Sequence, residues 1–158
     1  MGVGPESTFK SWLVKDGGKY CFFQTIETNT SSGVPDVFFS IDGKSGWMEL
    51  KATRQRGICY MRVSQYNWFR RYHKQKGIGL LLIKRVSTPH TIDVYLTESL
   101  AKIPPDMCKL RDKNVIFPSA VEPDLTYTMG SGVGRFIDKI HGLIDIDYKR
   151  RKLLCKEL

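Results

Sequence analysis

At 158 residues, with 41% apolar and 26% charged side chains, the chain has the length of one ordinary domain and enough apolar content for a core without disulfide staples. Its formal charge of +9 favours a polyanionic partner, nucleic acid ahead of an anionic membrane, because no basic amphipathic helix dominates. Met1 to Lys15 lacks the apolar stretch of a secretory signal, and the longest apolar run, around Ile78 to Ile83, is far too short to cross a bilayer. The expected location is therefore the cytoplasm, DNA-associated, or the host-cell cytoplasm for a viral chain.

Pro5 opens a short helical pattern with Phe9, Trp12 and Leu13 on one face, and Gly17-Gly18 stops it. Tyr20 to Thr28 reads as a strand, followed by a polar run from Asn29 to Gly33. Val37 to Ile41 and Gly46 to Thr53 read as two strands joined at Asp42-Gly43-Lys44-Ser45, a tight hairpin signal. After a basic connection, Ser64 is the expected N-cap of a helix running to about Lys76, with Gly77 as its C-terminal glycine. Gln65, Trp68, Phe69 and Tyr72 fall on its packing face, leaving Arg70, Arg71 and Lys74 for solvent or phosphate.

Ile78 to Arg85 is a nearly continuous apolar strand, suited to the middle of a sheet. Thr91 to Leu96 adds another strand. Ser99 to Tyr127, with four prolines and little periodicity, reads as an irregular excursion. Phe136, Ile137, Ile140, Leu143 and Ile144 have helical spacing, and Lys149 to Lys152 is wholly basic. No repeat or domain boundary stands out, so residues 1–158 are read as a single domain, with a core over about 5–96 and an extension over 97–158.

The chemistry concentrates on the hairpin. Strand side chains alternate, so Trp47, Glu49 and Lys51 share one face and Met48, Leu50 and Ala52 the other. A two-residue turn sets Asp36 opposite Glu49, and a four-residue loop sets it opposite Lys51. Either register gathers two carboxylates and an ammonium group. Carboxylates this close repel unless a cation lies between them, and oxygen ligands select Mg²⁺ or Mn²⁺. Lys51 is placed either to position a metal-bound water or to steady charge growing on the phosphate oxygens. From Lys51 to Ile92 there are ten basic side chains and no acidic one, hard to explain by solubility alone.

Pro35-Asp36, the spacing to Glu49-Leu50-Lys51 and the helix-strand-strand-strand-helix-strand order resemble the PD-(D/E)XK nuclease superfamily. Val63-Ser64-Gln65 through Trp68, then Lys76-Gly77-Ile78 and an apolar strand, is similar to its VRR-NUC branch and to Holliday junction resolvases. The resemblance spans roughly Glu6 to Arg85. It implies an α/β, restriction-endonuclease-like core (αβββαβ) in which helices flank a mixed central sheet.

Residue by residue, it implies Asp36 and Glu49 as metal ligands, the Leu50 backbone carbonyl as a third ligand and Glu6 as a further one. Lys51 would be the catalytic lysine and Gln65 its catalytic neighbour, although Gln65 also suits capping or packing. The implied activity is Mg²⁺- or Mn²⁺-dependent hydrolysis of DNA phosphodiester bonds, leaving a 5′-phosphate, on branched DNA such as a four-way junction and with a homodimeric enzyme. Arg54, Arg56 and Arg62 are the first expected phosphate contacts, with Arg70, Arg71, Lys74 and Lys76 behind them. A non-cutting DNA-binding protein of the same fold and an RNA-cleaving enzyme are the competing readings.

Other groups fit less well. His73, His90 and His141 have no paired zinc spacing, and Cys21, Cys59, Cys108 and Cys155 form no C-x-x-C pair. Gly130 to Gly134 lacks the Lys-Ser/Thr of a nucleotide-binding loop and reads as a joint.

Overall fold

The structure is a computed structural model that describes residues 4–27, 33–54, 59–86, 89–103, 109–111, 114–117 and 121–156. In chain order its elements are α1 (Pro5–Ser11), a π-helical turn (Trp12–Asp16), β1 (Phe22–Thr25), β2 (Val37–Ile41), β3 (Lys44–Thr53), β4 (Cys59–Arg62) and α2 (Val63–Lys74). There follow β5 (Gly79–Arg85), β6 (Thr91–Leu96), α3 (Thr97–Ala101), β7 (Lys109–Arg111), β8 (Asn114–Phe117), β9 (Leu125–Thr128) and α4 (Val133–Lys156).

The hairpin resolves to its shorter form. Asp42 and Gly43 take φ of 48° and 74°, the double left-handed geometry of a two-residue turn whose twist matches that of the strands it joins. Ile41 therefore pairs with Lys44, and the ladder ends at Val37 with Met48. The main sheet has the order β1-β2-β3-β5-β6-β9, with β3 and β5 parallel and its other neighbouring pairs antiparallel. A parallel pair needs a crossover, and α2 lies within the one between β3 and β5. The fold is thus α/β, a mixed six-stranded sheet flanked by helices, whose own elements run αβββαβ as expected from the resemblance, with β4 set in a second sheet.

Both faces of the sheet are covered. Leu80 and Leu82 of β5 join Phe9, Leu13, Met48 and Leu50 on one face, against α1 and the α4 residues Phe136, Ile137, Ile140 and Ile144. Leu81 and Ile83 point the other way, into Met61, Tyr66, Phe69 and Leu100. This double burial is why β5 reads as an unbroken apolar run.

The sequence reading is corrected in three places. Cys59–Arg62, taken as a basic connection, is a strand whose Cys59 and Met61 point inward, and it joins β8 and β7 in a second, three-stranded sheet. The stretch Ser99 to Tyr127 is less irregular than expected, since it holds β7, β8 and most of β9. β9 extends the main sheet beside β6. Strands of three or four residues are too short to show an alternation. The N-cap of α2 is Arg62, two residues before Ser64.

At its other end α2 stops as the sequence suggests, but by a different residue. Lys76 takes φ of 59°, its N–H donates to the His73 carbonyl at 2.8 Å, and the Gly77 N–H donates to the Tyr72 carbonyl at 3.1 Å. Gly77 is needed because a Cβ there would lie 2.2 Å from the Tyr72 ring. The corner is closed from α4, where Arg151 Nη1 donates to the Gly77 carbonyl at 2.9 Å and Nη2 to Thr97 Oγ1 at 3.3 Å. The buried Asp147 carboxylate holds Arg151 Nε at 2.8 Å.

Candidate active site

Glu49 lies near the middle of β3 with its side chain turned toward α2 and no exposed surface. Gln65, in the first turn of α2, uses both ends of its amide. Its Oε1 accepts from the Arg62 N–H at 3.1 Å, and its Nε2 donates to Glu49 Oε1. Lys51 Nζ stands 2.7 Å from that same oxygen, as expected for residues two apart on one strand face. Glu49 Oε2 is buried and has no hydrogen-bond partner among the described residues.

Asp36 is the next residue out from the Val37–Met48 pair, level with Glu49, and its Oδ2 accepts from the Leu50 N–H at 3.4 Å. Glu6, exposed on α1, approaches Lys51 Nζ at 4.0 Å. The three residues singled out on the hairpin, together with Gln65, therefore meet, with Glu6 at the margin. Among the described residues no group of three or more His, Cys, Asp or Glu side chains has metal-holding geometry. The oxygen donors that do converge are two carboxylates beside the backbone of Leu50.

The electrostatics follow from that burial. Loss of water pushes the Glu49 carboxyl up to about 7, against the pull of Lys51 and with the nearby Asp36 adding to the rise. For Lys51, burial disfavours the charge, but Glu49, Glu6 and Asp36 outweigh it, and its pKa ends above the usual lysine value. A fully buried carboxyl with one oxygen unsatisfied is costly unless something donates to it or binds it. An oxygen-seeking divalent cation suits that position, and two carboxylates with a backbone carbonyl are the ligands Mg²⁺ takes while keeping several waters.

The expected phosphate contacts fall in two places. Arg54 is exposed just past β3, and Arg62 is exposed where β4 meets α2. Arg70, Arg71 and Lys74 line a cleft of about 530 Å³ with Ser64 and Asn67, and the Arg70 guanidinium lies 5.7 Å from the centre of the Tyr66 ring. Arg56 lies outside the described residues. Trp47, on the Glu49 face, packs edge-on between Phe38 and Trp68, with ring centres 5.5 and 5.9 Å away.

A second cleft escaped the sequence reading. About 630 Å³ in volume, it is lined by Asp36, by residues of α1 and by the π-helical turn, Lys10 and Lys15 among them. These lysines lie five residues apart, a spacing that would put them about 140° apart around an α-helix.

No helix among the described residues is long and apolar enough to cross a membrane. No family model and no curated protein matches the chain. Among solved structures it is similar to Hjc, a Holliday junction resolvase from Archaeoglobus fulgidus, at 12% identity and a TM-score of 0.45, over 72% of this chain and 87% of that one. At that level no residue role, substrate or assembly is taken from the likeness.

Proposed function

We propose that this chain is a metal-dependent endonuclease that hydrolyses DNA phosphodiester bonds and prefers branched DNA. The observation that carries the reading is Glu49. Its carboxyl is fully buried, fixed at one oxygen by Lys51 and Gln65, without a hydrogen-bond partner at the other among the described residues, and level with Asp36. Mg²⁺ or Mn²⁺ would be held by Asp36, Glu49 and the Leu50 carbonyl, with Glu6 as a further ligand. Bound there, the cation supplies a water acidic enough to attack phosphorus near neutral pH.

The remaining roles belong to the chain itself. Lys51, held by Glu49, faces the negative charge that grows on the phosphate oxygens. Gln65 fixes the plane of the Glu49 carboxylate so that its free oxygen keeps one direction. Arg54 and Arg62, with Arg56, hold flanking phosphates, and Arg70, Arg71 and Lys74 extend the contact along α2. Affiliation with the VRR-NUC branch, a 5′-phosphate product and a cytoplasmic, DNA-associated location belong to the same proposal. So does a homodimer, since one centre per chain means that paired cuts need two copies.

A four-way junction, a linear duplex, a single strand and RNA should each be incubated with Mg²⁺, Mn²⁺ and EDTA. The junction is cut with either cation and not in chelator. Asp36→Asn and Glu49→Gln abolish cutting while junction binding in EDTA survives, because ligands and not phosphate contacts are lost. Wild-type turnover by either variant would sink the assignment. The absence of a three-acid cluster among the described residues favours one rival, a protein that holds DNA without cutting it. Retention of the junction with no turnover in any metal would establish that rival, and cutting of RNA alone would redirect the reading to an RNA enzyme.

A further inference from the structure

The cleft beside α1 has two chemically different ends. At one end stand Glu6 and Asp36, where the candidate centre begins. Along its wall lie Ser7, Lys10, Ser11 and Lys15, with Thr25 of β1 opposite. Lys10 is half-buried and Lys15 exposed, and neither pairs with a carboxylate among the described residues.

Ser7, Lys10, Ser11, Val14 and Lys15 recur at i, i+3, i+4, i+7 and i+8, the spacing of one helix face, and all five line the cleft. Hydroxyls and ammonium groups in a row, leading to a pair of acids, match a phosphodiester chain whose reacting phosphate lies at the acidic end and whose neighbours lie at the basic one.

We propose that this cleft is the track along which the sugar-phosphate backbone of a nucleic-acid strand enters the centre, with Lys10 and Lys15 as its phosphate contacts. The proposal rests on the nuclease reading for which end holds the reacting phosphate, while the binding it predicts is independent of turnover. The serine and threonine hydroxyls donate to phosphate oxygens and read no base, so the track accepts any sequence.

The test uses a fluorescein-labelled four-way junction, with anisotropy read in EDTA over a salt series, for the wild type, Lys10→Ala/Lys15→Ala and Lys10→Arg/Lys15→Arg. The double alanine variant should bind more weakly at low salt, and its slope of log affinity against log salt should be shallower by about 1.4 to 1.8, near 0.7 to 0.9 per lost contact. The double arginine variant should restore both. In Mg²⁺, single-turnover cutting by the alanine pair should need more enzyme for half-saturation yet reach the wild-type rate at saturation, as lost uniform binding requires.

An unchanged salt slope, failure of the arginine pair to restore binding, or displacement of the junction by polyglutamate but not by an unlabelled single strand would each overturn the track. A wild-type chain that binds with the expected slope and never cuts would instead overturn the nuclease reading and leave the track standing.

Discussion

Gln65 and Glu49, 16 positions apart in sequence, share a hydrogen bond in the interior, the amide of one donating to the carboxyl of the other. Because the same amide also accepts from the Arg62 N–H, the start of α2 and the candidate centre are tied through one side chain. Gln65→Leu should cost about 1–3 kcal/mol, since it leaves a backbone donor and a buried carboxyl each short of a partner. It should also lower cutting. A denaturant midpoint equal to the wild type would show that the tie is not structural. Gln65→Glu keeps the acceptor for Arg62 but sets a second carboxyl against Glu49, so it should lose more activity than stability.

Stability should depend on pH through Glu49. Its folded pKa of about 7 lies above the ordinary 4.5, so the fold binds the proton more tightly than the unfolded chain does. The resulting stabilisation is complete below about 4.5 and is lost as pH rises through about 7. It amounts to ~3 kcal/mol at most, by the value of a pKa unit. In EDTA the melting temperature should fall across this window, and Glu49→Gln should flatten the decline. Added Mg²⁺ should restore stability on the alkaline side only, where the carboxylate is free to bind it. A wild-type profile as flat as that of the variant would remove the buried neutral carboxyl from the account.

Lys51→Ala removes the cation facing a carboxyl with no exposed surface. Breaking a buried pair on one side costs about 3–5 kcal/mol when the remaining charge persists. Here Glu49 can take up a proton instead, so the loss should be smaller at acid than at alkaline pH. Cutting should disappear while Mn²⁺ affinity, measured by calorimetry, is retained. Lost affinity would make the lysine structural rather than catalytic.

Gly46 tests the sheet and not the chemistry. A Cβ there would stand 2.1 Å from the Ile78 carbonyl oxygen and 2.9 Å from the Phe39 ring. That carbonyl accepts from the Trp47 N–H at 3.1 Å, where the parallel ladder of β3 and β5 begins. Gly46→Ala should cost about 1–3 kcal/mol, the range for overpacking a filled interior, read as a lower denaturant midpoint. Cutting per folded molecule should stay near the wild-type level.

Much of the hairpin was legible because its determinants are local. A period of two separates Glu49 and Lys51 from Met48 and Leu50, and Asp42-Gly43 narrows the register to two choices, of which the shorter turn occurs. The orphaned oxygen of Glu49 was not legible, because it depends on what α2 leaves uncovered. The α1 cleft was hidden for another reason. Ser7, Lys10, Ser11, Val14 and Lys15 do recur at helical spacing, but that the face meets Asp36 and Thr25 across a cleft depends on strands distant in sequence. β4 and β7 to β9 are too short for alternation to separate them from loops, and their pairing is settled by partners distant in sequence.

The Arg151 contact with Gly77 spans 74 positions and fastens the corner between α2 and β5 from far down the chain. Chains emerge from the ribosome N-terminus first. The hairpin and its acids can therefore be exposed before this fastening is available, and the Arg151 contact can form only after that residue has cleared the exit tunnel. Until then the corner is left to its local backbone bonds, from Lys76 to His73 and from Gly77 to Tyr72.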